Sequence, residues 1–324
     1  MQAIVYHRYG SPDVLELQEV PIPTPAEGEV LIRVHAASVN PYDWHFLRGK
    51  PSFLRLFTGL SRPKSPRLGA DVAGVVDAVG SKVASFKPGD AVFGAAKGSF
   101  AEYACATASQ LALKPSDISF EQAACLPIAG ITALQGLRDK GKVQAGQAVL
   151  INGGAGGVGT FAVQIAKSYG ARVTGVCSTR NIEMLRSIGA DEVIDYTRED
   201  FVRSAQRYDL LFDLVGNRTL ADCLSVIQLH GTYIACGGGG PDRTTMDLLA
   251  GLLQNAVRSH FVTQKMPGLL AKVNSEDLAL LAGLVQNGTL TPIVDHTCSL
   301  RETVEAVRHV ESGHVRGKVV IAVA

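Results

Sequence analysis

The stretch Ala148-Val-Leu-Ile-Asn-Gly-Gly-Ala-Gly-Gly-Val-Gly-Thr160 decides how the rest of the chain is read. A short apolar run, Ala148 to Ile151, is bounded by glycines and fits a buried strand. From Phe161 to Tyr169 apolar residues recur at helical spacing, at 161, 162, 165, 166 and 169. Between the two, Gly154, Gly156 and Gly159 stand in the order G-x-G-x-x-G. The first glycine makes a tight turn, the second lets backbone approach a pyrophosphate, and the third lets helix pack closely on strand. The helix start then offers N–H groups and the positive end of its dipole to phosphate oxygens. Glycine-rich turns that bind nothing are common, so context decides. Here a strand precedes, a helix follows, and a second apolar strand, Arg172 to Cys177, comes about twenty residues on. Gly154, Ala155, Gly156, Gly157, Val158 and Gly159 are therefore read as the phosphate loop of a dinucleotide site.

At 324 residues the chain has room for two domains and a substantial core. Hydrophobic residues make up 46% and charged ones 19%, the profile of a folded globular chain. The formal net charge is +1, from 31 basic and 30 acidic side chains, which argues against a nucleic-acid partner or an anionic membrane. Apolar runs are broken by glycine or charge before the ~20 residues a bilayer needs, so no membrane insertion is expected. Met1-Gln-Ala-Ile-Val-Tyr6 lacks the basic-then-apolar pattern of a leader, and a cytoplasmic location is expected. The cysteines at 105, 125, 177, 223, 236 and 298 include no C-x-x-C pair and read as buried small apolar side chains.

Residues 1 to about 124 read as β-rich, with strand-like runs at Val30–Val34 and Val72–Val79 between turn signals such as Lys87-Pro-Gly-Asp90. Pro21-Ile-Pro-Thr-Pro25 is an extended connector. Pro51–Pro66 is basic, carries no acid, and reads as an irregular surface loop, with a lid over a site as the functional alternative. From Phe120 helical patterns begin, with Ser119 as cap, and Ile128–Asp139 continues in helical style. After the glycine turn, strands and helices alternate. Strands are expected at Arg172–Cys177, Glu192–Asp195, Leu210–Val215 and Gly231–Cys236, and helices at Asn181–Ile188, Glu199–Ala205 and Leu220–Gln228. That alternation marks a doubly wound parallel sheet. Helices at Leu278–Asn287 and Leu300–Ser312 precede a closing strand from Gly317.

These residues carry a resemblance over nearly the whole chain. Asn40-Pro-Tyr-Asp-Trp44, Leu68-Gly-Ala-Asp-Val-Ala-Gly74, Phe86-Lys-Pro-Gly-Asp-Ala-Val-Phe-Gly94 and Gly98-Ser-Phe-Ala-Glu-Tyr103 come first. Leu126-Pro-Ile-Ala-Gly-Ile-Thr-Ala133, the glycine turn, and Gly189-Ala-Asp-Glu-Val-Ile-Asp-Tyr196 follow. The chain resembles a zinc-lacking member of the medium-chain dehydrogenase/reductase superfamily, close to the NADPH quinone oxidoreductases. The resemblance implies an α/β fold: a GroES-like β-rich catalytic domain over 1–124, a Rossmann domain with a doubly wound parallel sheet over 125–262, and a C-terminal segment, 263–324, returning to the first. It also implies a homodimer through paired Rossmann edges, with Ser259-His-Phe-Val-Thr263 as the candidate edge.

Zinc-dependent relatives carry Gly-His-Glu where this chain reads Gly69-Ala70-Asp71, and a cysteine in the block that here begins at Asn40. A methyl group cannot ligate a metal, the four clustered thiols of a structural zinc lobe are missing, and His45 alone does not make a site. No metal is therefore expected. The second strand ends on Cys177 rather than on the acid that would accept from a ribose 2′-hydroxyl. Ser178, Thr179 and Arg180 supply donors for a 2′-phosphate instead, and the resemblance adds Tyr196, so NADPH is the expected cofactor. By family position Thr132 and Asn40 lie at the nicotinamide or substrate. Cys236, Gly237, Phe261 and Val262 approach through backbone, and Lys318 reaches toward the cofactor. Tyr42 is a candidate proton donor once hydride has reached a quinone or an α,β-unsaturated carbonyl. The alternatives are a zinc-independent alcohol or aldehyde dehydrogenase-like reductase, and a non-catalytic NADPH-binding protein.

Overall fold

The computed structural model describes residues 1–236 and 262–323, and the chain divides into two compact units: 1–131 with 272–324, and 132–271.

The first unit opens with an antiparallel pair, β1 (Gln2–Val5) and β2 (Glu16–Glu19). Its main sheet is built on β3 (Glu29–Val39), eleven residues long and buried along nearly its whole length. That strand pairs antiparallel with β4 (Asp71–Val79), which in turn pairs with β5 (Ala91–Ala95). Strands β6 (Tyr103–Thr107) and β7 (Leu111–Leu113) pair with β3 and β5 respectively. Valines at 30, 34, 72, 76 and 92, with Ile32 and Leu111, form the core of this sheet. The ladder between β3 and β4 shifts register twice, and at the second shift a Cβ on Gly74 would stand 2.1 Å from the Arg33 carbonyl oxygen. A bulge that brings two backbones this close admits only glycine.

Helix α1 (Pro41–Arg48) starts directly after β3. The segment read as an irregular loop, 51–66, instead holds a single-turn element at Ser52–Leu54 and a short helix, α2 (Arg55–Thr58). It is pinned by Arg55, which lies 4.6 Å over the Tyr9 ring and donates to the Gly49 carbonyl. Helices α3 (Phe120–Ala124) and α4 (Pro127–Gln135) follow, the Ser119 hydroxyl capping α3 as its sequence suggests. Beyond Gln135 the helix widens into a π-turn, Gly136–Gly141.

The second unit carries a five-stranded parallel sheet in the order β10-β9-β8-β11-β12. Its strands are β8 (Ala148–Asn152), β9 (Arg172–Cys177), β10 (Glu192–Asp195), β11 (Tyr208–Asp213) and β12 (Ile227–Ala235). The first strand of the unit, β8, is central and buried throughout. The chain runs outward on one side through β9 and β10, then crosses to β11 on the other, so the order reverses beside β8. Lys265 adds a parallel bridge to Thr232 at the β12 edge. Helix α5 (Gly157–Ser168) follows the glycine turn and buries Phe161, Ala162, Ile165 and Ala166. Helices α6 (Ile182–Ser187) and α7 (Leu220–Ser225) complete the alternation.

Two helical expectations fail here. Glu199–Ala205 is no helix but a three-residue turn, Phe201–Arg203, capped by the Asp200 carboxylate. Phe201 is drawn into the core with Tyr208 and Leu211, and the chain must become β11 five residues later. Leu220–Gln228 ends early, at Ser225, because Ile227 is already paired with Tyr208 across the sheet.

The C-terminal segment rejoins the first unit through α8 (Ser275–Gln286), β13 (Val294–Ser299), α9 (Thr303–Glu311) and β14 (Lys318–Ala322). Strand β14 pairs antiparallel with β3, with Val319 opposite Val39, and β13 adds parallel to β14 as the edge of the sheet. Val319 and Ile321 pack with Trp44, Leu47, Ala306 and Val307 in one core. Among the described residues no helix is long and apolar enough to cross a membrane.

Candidate active site

In the second unit the glycine turn joins β8 to α5 at the carboxyl ends of the parallel strands, at the point where strand order reverses. That is where open α/β sheets bind ligands. The Gly154 N–H donates to the Val176 carbonyl at 3.0 Å, tying the turn to β9. A Cβ on Gly159 would stand 2.1 Å from the Gly153 carbonyl oxygen, so helix and turn close on each other only with glycine there. At Gly156 the situation is reversed: among the described residues an added Cβ would meet only the Gly153 oxygen, at an ordinary 3.5 Å. Gly156 is also the N-cap of the twelve-residue α5, where it offers no side chain to cap the helix. An uncapped helix start, unobstructed among the described residues, beside a turn this tight fits an oxyanion of pyrophosphate type.

At the end of β9 the structure brings Ser178, Thr179, Arg180 and Tyr196 into one region. The Tyr196 N–H donates to the Cys177 carbonyl at 3.0 Å, while the Arg180 and Tyr196 side chains are exposed. Thr179 departs from expectation, because its hydroxyl donates to Asp195 rather than standing ready for a phosphate. Asp195 sits beside Cys177 in the β9–β10 ladder, so tertiary pairing restores an acid next to the strand end that lacks one in sequence. The Thr179 hydroxyl, and the hydroxyl and N–H of Thr197, hold the Asp195 carboxyl below the usual carboxylate range. Cys236, exposed, follows β12 with its N–H on the Asp213 carbonyl, and Val262 is half-buried. Thr132 is buried in α4. Gly237 and Phe261, together with most of the candidate dimer edge at 259–263, lie outside the described residues.

The first unit contains a buried polar cluster that sequence reading located only in part. The antiparallel register of β14 on β3 sets Lys318 against Asn40. The Lys318 ammonium donates to Asn40 Oδ1 at 2.6 Å and to the Val39 carbonyl at 3.2 Å, with Asp71 Oδ2 at 3.3 Å. Asp71 Oδ2 also accepts from the Ser38 hydroxyl at 2.7 Å and the Asn40 amide at 2.8 Å, and its Oδ1 accepts from the Ile128 N–H at 3.0 Å. Asp43 Oδ2 accepts from the Asn40 N–H at 2.8 Å, whereas Asp43 Oδ1 is buried without a hydrogen-bond partner among the described residues. Burial pushes the Asp43 carboxyl up to about 7, against the Asn40 N–H bond, which favours the anion. Lys318, Asp71, Asp43, Asn40 and Ser38 are each 2% exposed or less.

The cluster holds two of the expected site residues. Lys318 turns onto three oxygen acceptors, because a buried ammonium needs every donor met. Asn40 bonds through both ends of its amide within the unit. Tyr42 keeps its candidacy on exposure alone, 46% exposed and tilted on Phe46 at 4.1 Å. His45 stacks on Trp44 and bonds the Lys50 carbonyl. Asp71, Asp43 and Asp195 were missed as site residues. Their one signal in sequence was a carboxylate set in or at the end of an apolar run, as in Asp71-Val-Ala-Gly-Val-Val and Val193-Ile-Asp195.

This cluster occupies the position that holds zinc ligands in metal-dependent relatives. Ala70 stands where the histidine would, the block from Asn40 holds no cysteine, both Asp71 oxygens are taken, and an ammonium lies 3.3 Å from Asp71. A second cation would meet charge repulsion and no free donor set, so these residues do not fit a zinc ion.

Comparison with known proteins agrees with the fold. Residues 26–116 match the family of the alcohol dehydrogenase GroES-like domain, and residues 188–321 that of the zinc-binding dehydrogenases. An NADPH-dependent alkenal/one oxidoreductase, chloroplastic, from Arabidopsis thaliana is 35% identical over 99% of this chain and 79% of its own length. The structure of the quinone oxidoreductase from Coxiella burnetii superposes with a TM-score of 0.86 at 34% identity, covering 100% of this chain and 99% of that one. The Escherichia coli quinone oxidoreductase complexed with NADPH gives 0.85 at 26% identity, covering 99% and 100%. A GroES-like unit and a Rossmann sheet, joined in one chain with these relatives, place the protein in the medium-chain dehydrogenase/reductase superfamily, among its quinone oxidoreductase-like members.

Proposed function

We propose that the chain is an NADPH-dependent oxidoreductase that delivers hydride to quinones or α,β-unsaturated carbonyls, and that it does so without zinc. One observation carries the reading: the uncapped start of α5 behind Gly156, unobstructed among the described residues, at the reversal point of the parallel sheet. The relatives' named activities support the cofactor and the acceptor class. When bound, NADPH supplies the hydride. Residues 154–159 hold its pyrophosphate through backbone N–H groups. Ser178, Arg180 and Tyr196 take the 2′-phosphate, while the Asp195 carboxylate beside them is occupied by its own hydroxyl and N–H donors and has the Arg198 guanidinium at 3.6 Å. Thr132, Cys236 and Val262 approach the nicotinamide. Asn40, Asp71 and Lys318 act as one rigid block that positions the start of α1, and Tyr42 beyond it is the candidate proton donor. Zinc independence rests on the polar cluster, whose ammonium stands where a metal would need ligands.

The test is NADPH oxidation with a panel of quinones, enones and simple aldehydes, run before and after exhaustive chelation. Turnover of the conjugated acceptors that survives chelation is expected. NADPH binding without turnover of any acceptor, or activity that returns only with zinc, would overturn the reading. Arg180→Ala is expected to lower the preference for NADPH over NADH by about tenfold or more, the loss of one charged phosphate contact; kcat/KM with the two coenzymes measures it. A cytoplasmic homodimer belongs to the same proposal. Light scattering of the purified chain and imaging of a tagged chain are the checks, since the Arabidopsis thaliana relative is named chloroplastic.

A further inference from the structure

The edge strand β13 carries Asp295 and His296 in succession, and an unbroken strand would send their side chains to opposite faces. Its ladder with β14 is irregular at this place: Val294 pairs with Lys318 and His296 with Val319, leaving Asp295 as the extra residue. The bulge re-aims Asp295 so that both side chains face α9, where His309 projects from the last turn. His309 Nε2 lies 2.7 Å from Asp295 Oδ2, and His296 Nδ1 lies 3.4 Å from the same oxygen. One donor atom from each of the three residues lies within 4.8 Å of the other two. The two imidazole rings are tilted at 54° with centroids 5.3 Å apart, so they converge on the carboxylate instead of stacking on each other.

We propose that Asp295, His296 and His309 bind a divalent transition-metal ion of the zinc class, which clamps the bulged edge strand β13 to α9. Two imidazoles and one carboxylate suit a borderline-soft cation, whereas magnesium and calcium favour oxygen-only sets. Zinc bonds of 2.0–2.2 Å place tetrahedral donors about 3.4 Å apart, inside the spread already present here. His309 Nε2 would exchange its hydrogen bond to Asp295 for the metal, the ring proton residing on Nδ1. The three side chains are 23–45% exposed, which leaves a fourth position for water and an open path of entry. The ion would reinforce an exposed sheet edge that is held by its ladder to β14, by the Asp295–His309 hydrogen bond and by Cys298 packed on the core. It is separate from the Lys318–Asp71 cluster and independent of hydride transfer.

The full-length protein is stripped with chelator and titrated by calorimetry with zinc chloride, and separately with magnesium chloride. About one equivalent of zinc and no magnesium at the same concentration are expected, with a rise in thermal midpoint that grows with zinc concentration. His309→Ala and His296→Ala should each weaken zinc binding at least tenfold and abolish the thermal shift, while NADPH affinity stays unchanged as the check on folding. Asp295→Asn, which keeps shape and hydrogen bonding, should weaken binding as well and covers the case in which a histidine variant misfolds. Zinc affinity unchanged in the His296→Ala/His309→Ala double variant, or equal uptake of magnesium, overturns the proposal.

Discussion

At the scale of single residues, the chain's most unusual chemistry is the burial of Lys318, Asp71 and Asp43 in one cluster. Removing one partner from such a set strands a charge, which typically costs about 3–5 kcal/mol, while removing both ends of the pair costs far less. Lys318→Met is therefore expected to lower unfolding free energy by about 3–5 kcal/mol, and adding Asp71→Asn to restore much of it. A urea double-mutant cycle reads the coupling. Asp43 adds a pH signature. Its carboxyl titrates near 7 in the folded protein and at its ordinary value, 3.8, in the unfolded chain. The folded state thus prefers the protonated form. Below about pH 4 Asp43 carries no penalty, and the penalty grows as pH rises toward 7. Asp43→Asn removes that titration, so its advantage over wild type should widen by at most about 1.4 kcal/mol per pH unit across this window and then level off. Denaturant midpoints from pH 4 to 8 check it. A constant gap would place the Asp43 titration elsewhere.

At the scale of elements, the glycine turn separates two jobs that a sequence motif lumps together. Gly159 serves closure, because its Cβ would strike the Gly153 oxygen, whereas Gly156 serves access, because among the described residues its Cβ would meet only that oxygen, at an ordinary 3.5 Å. Gly159→Ala should destabilise the second unit outright. Gly156→Ala should change stability by no more than about 1 kcal/mol while lowering NADPH affinity at least tenfold. Thermal melts paired with coenzyme titration distinguish the two, and equal stability loss in both variants would contradict the division. This element was legible in sequence because strand, turn and helix are local, and each glycine's task is set by neighbours within a few residues. The helix expected at Glu199–Ala205 failed for the opposite reason: Phe201 is captured by a core whose other members, such as Tyr208 and Ile227, come from elsewhere in the chain.

At the scale of the whole molecule, the C-terminal segment is part of the first unit's architecture. β14 supplies Val319 and Ile321 to the core of that unit and Lys318 to its polar cluster. Deleting residues 318–324 should strip amide hydrogen-exchange protection from β3 and β4 and leave β8 and β9 protected. Uniform loss of protection in both sheets would show instead that the units unfold as one.

Local order therefore came from the sequence by itself: the alternating strands and helices, the glycine turn, the cap on α3, the strand-end at Cys177 without its acid, and with them the fold class and the dinucleotide reading. Their determinants are periodicity and backbone freedom, which act over a few residues. Only the tertiary structure decided that Lys318 meets Asn40 and Asp71, that Asp195 returns a carboxylate beside Cys177, and that a bulge turns Asp295 and His296 toward His309. Those pairings are set by strand register between segments up to 278 residues apart, and register arises when the sheets assemble and side chains compete for the same buried space.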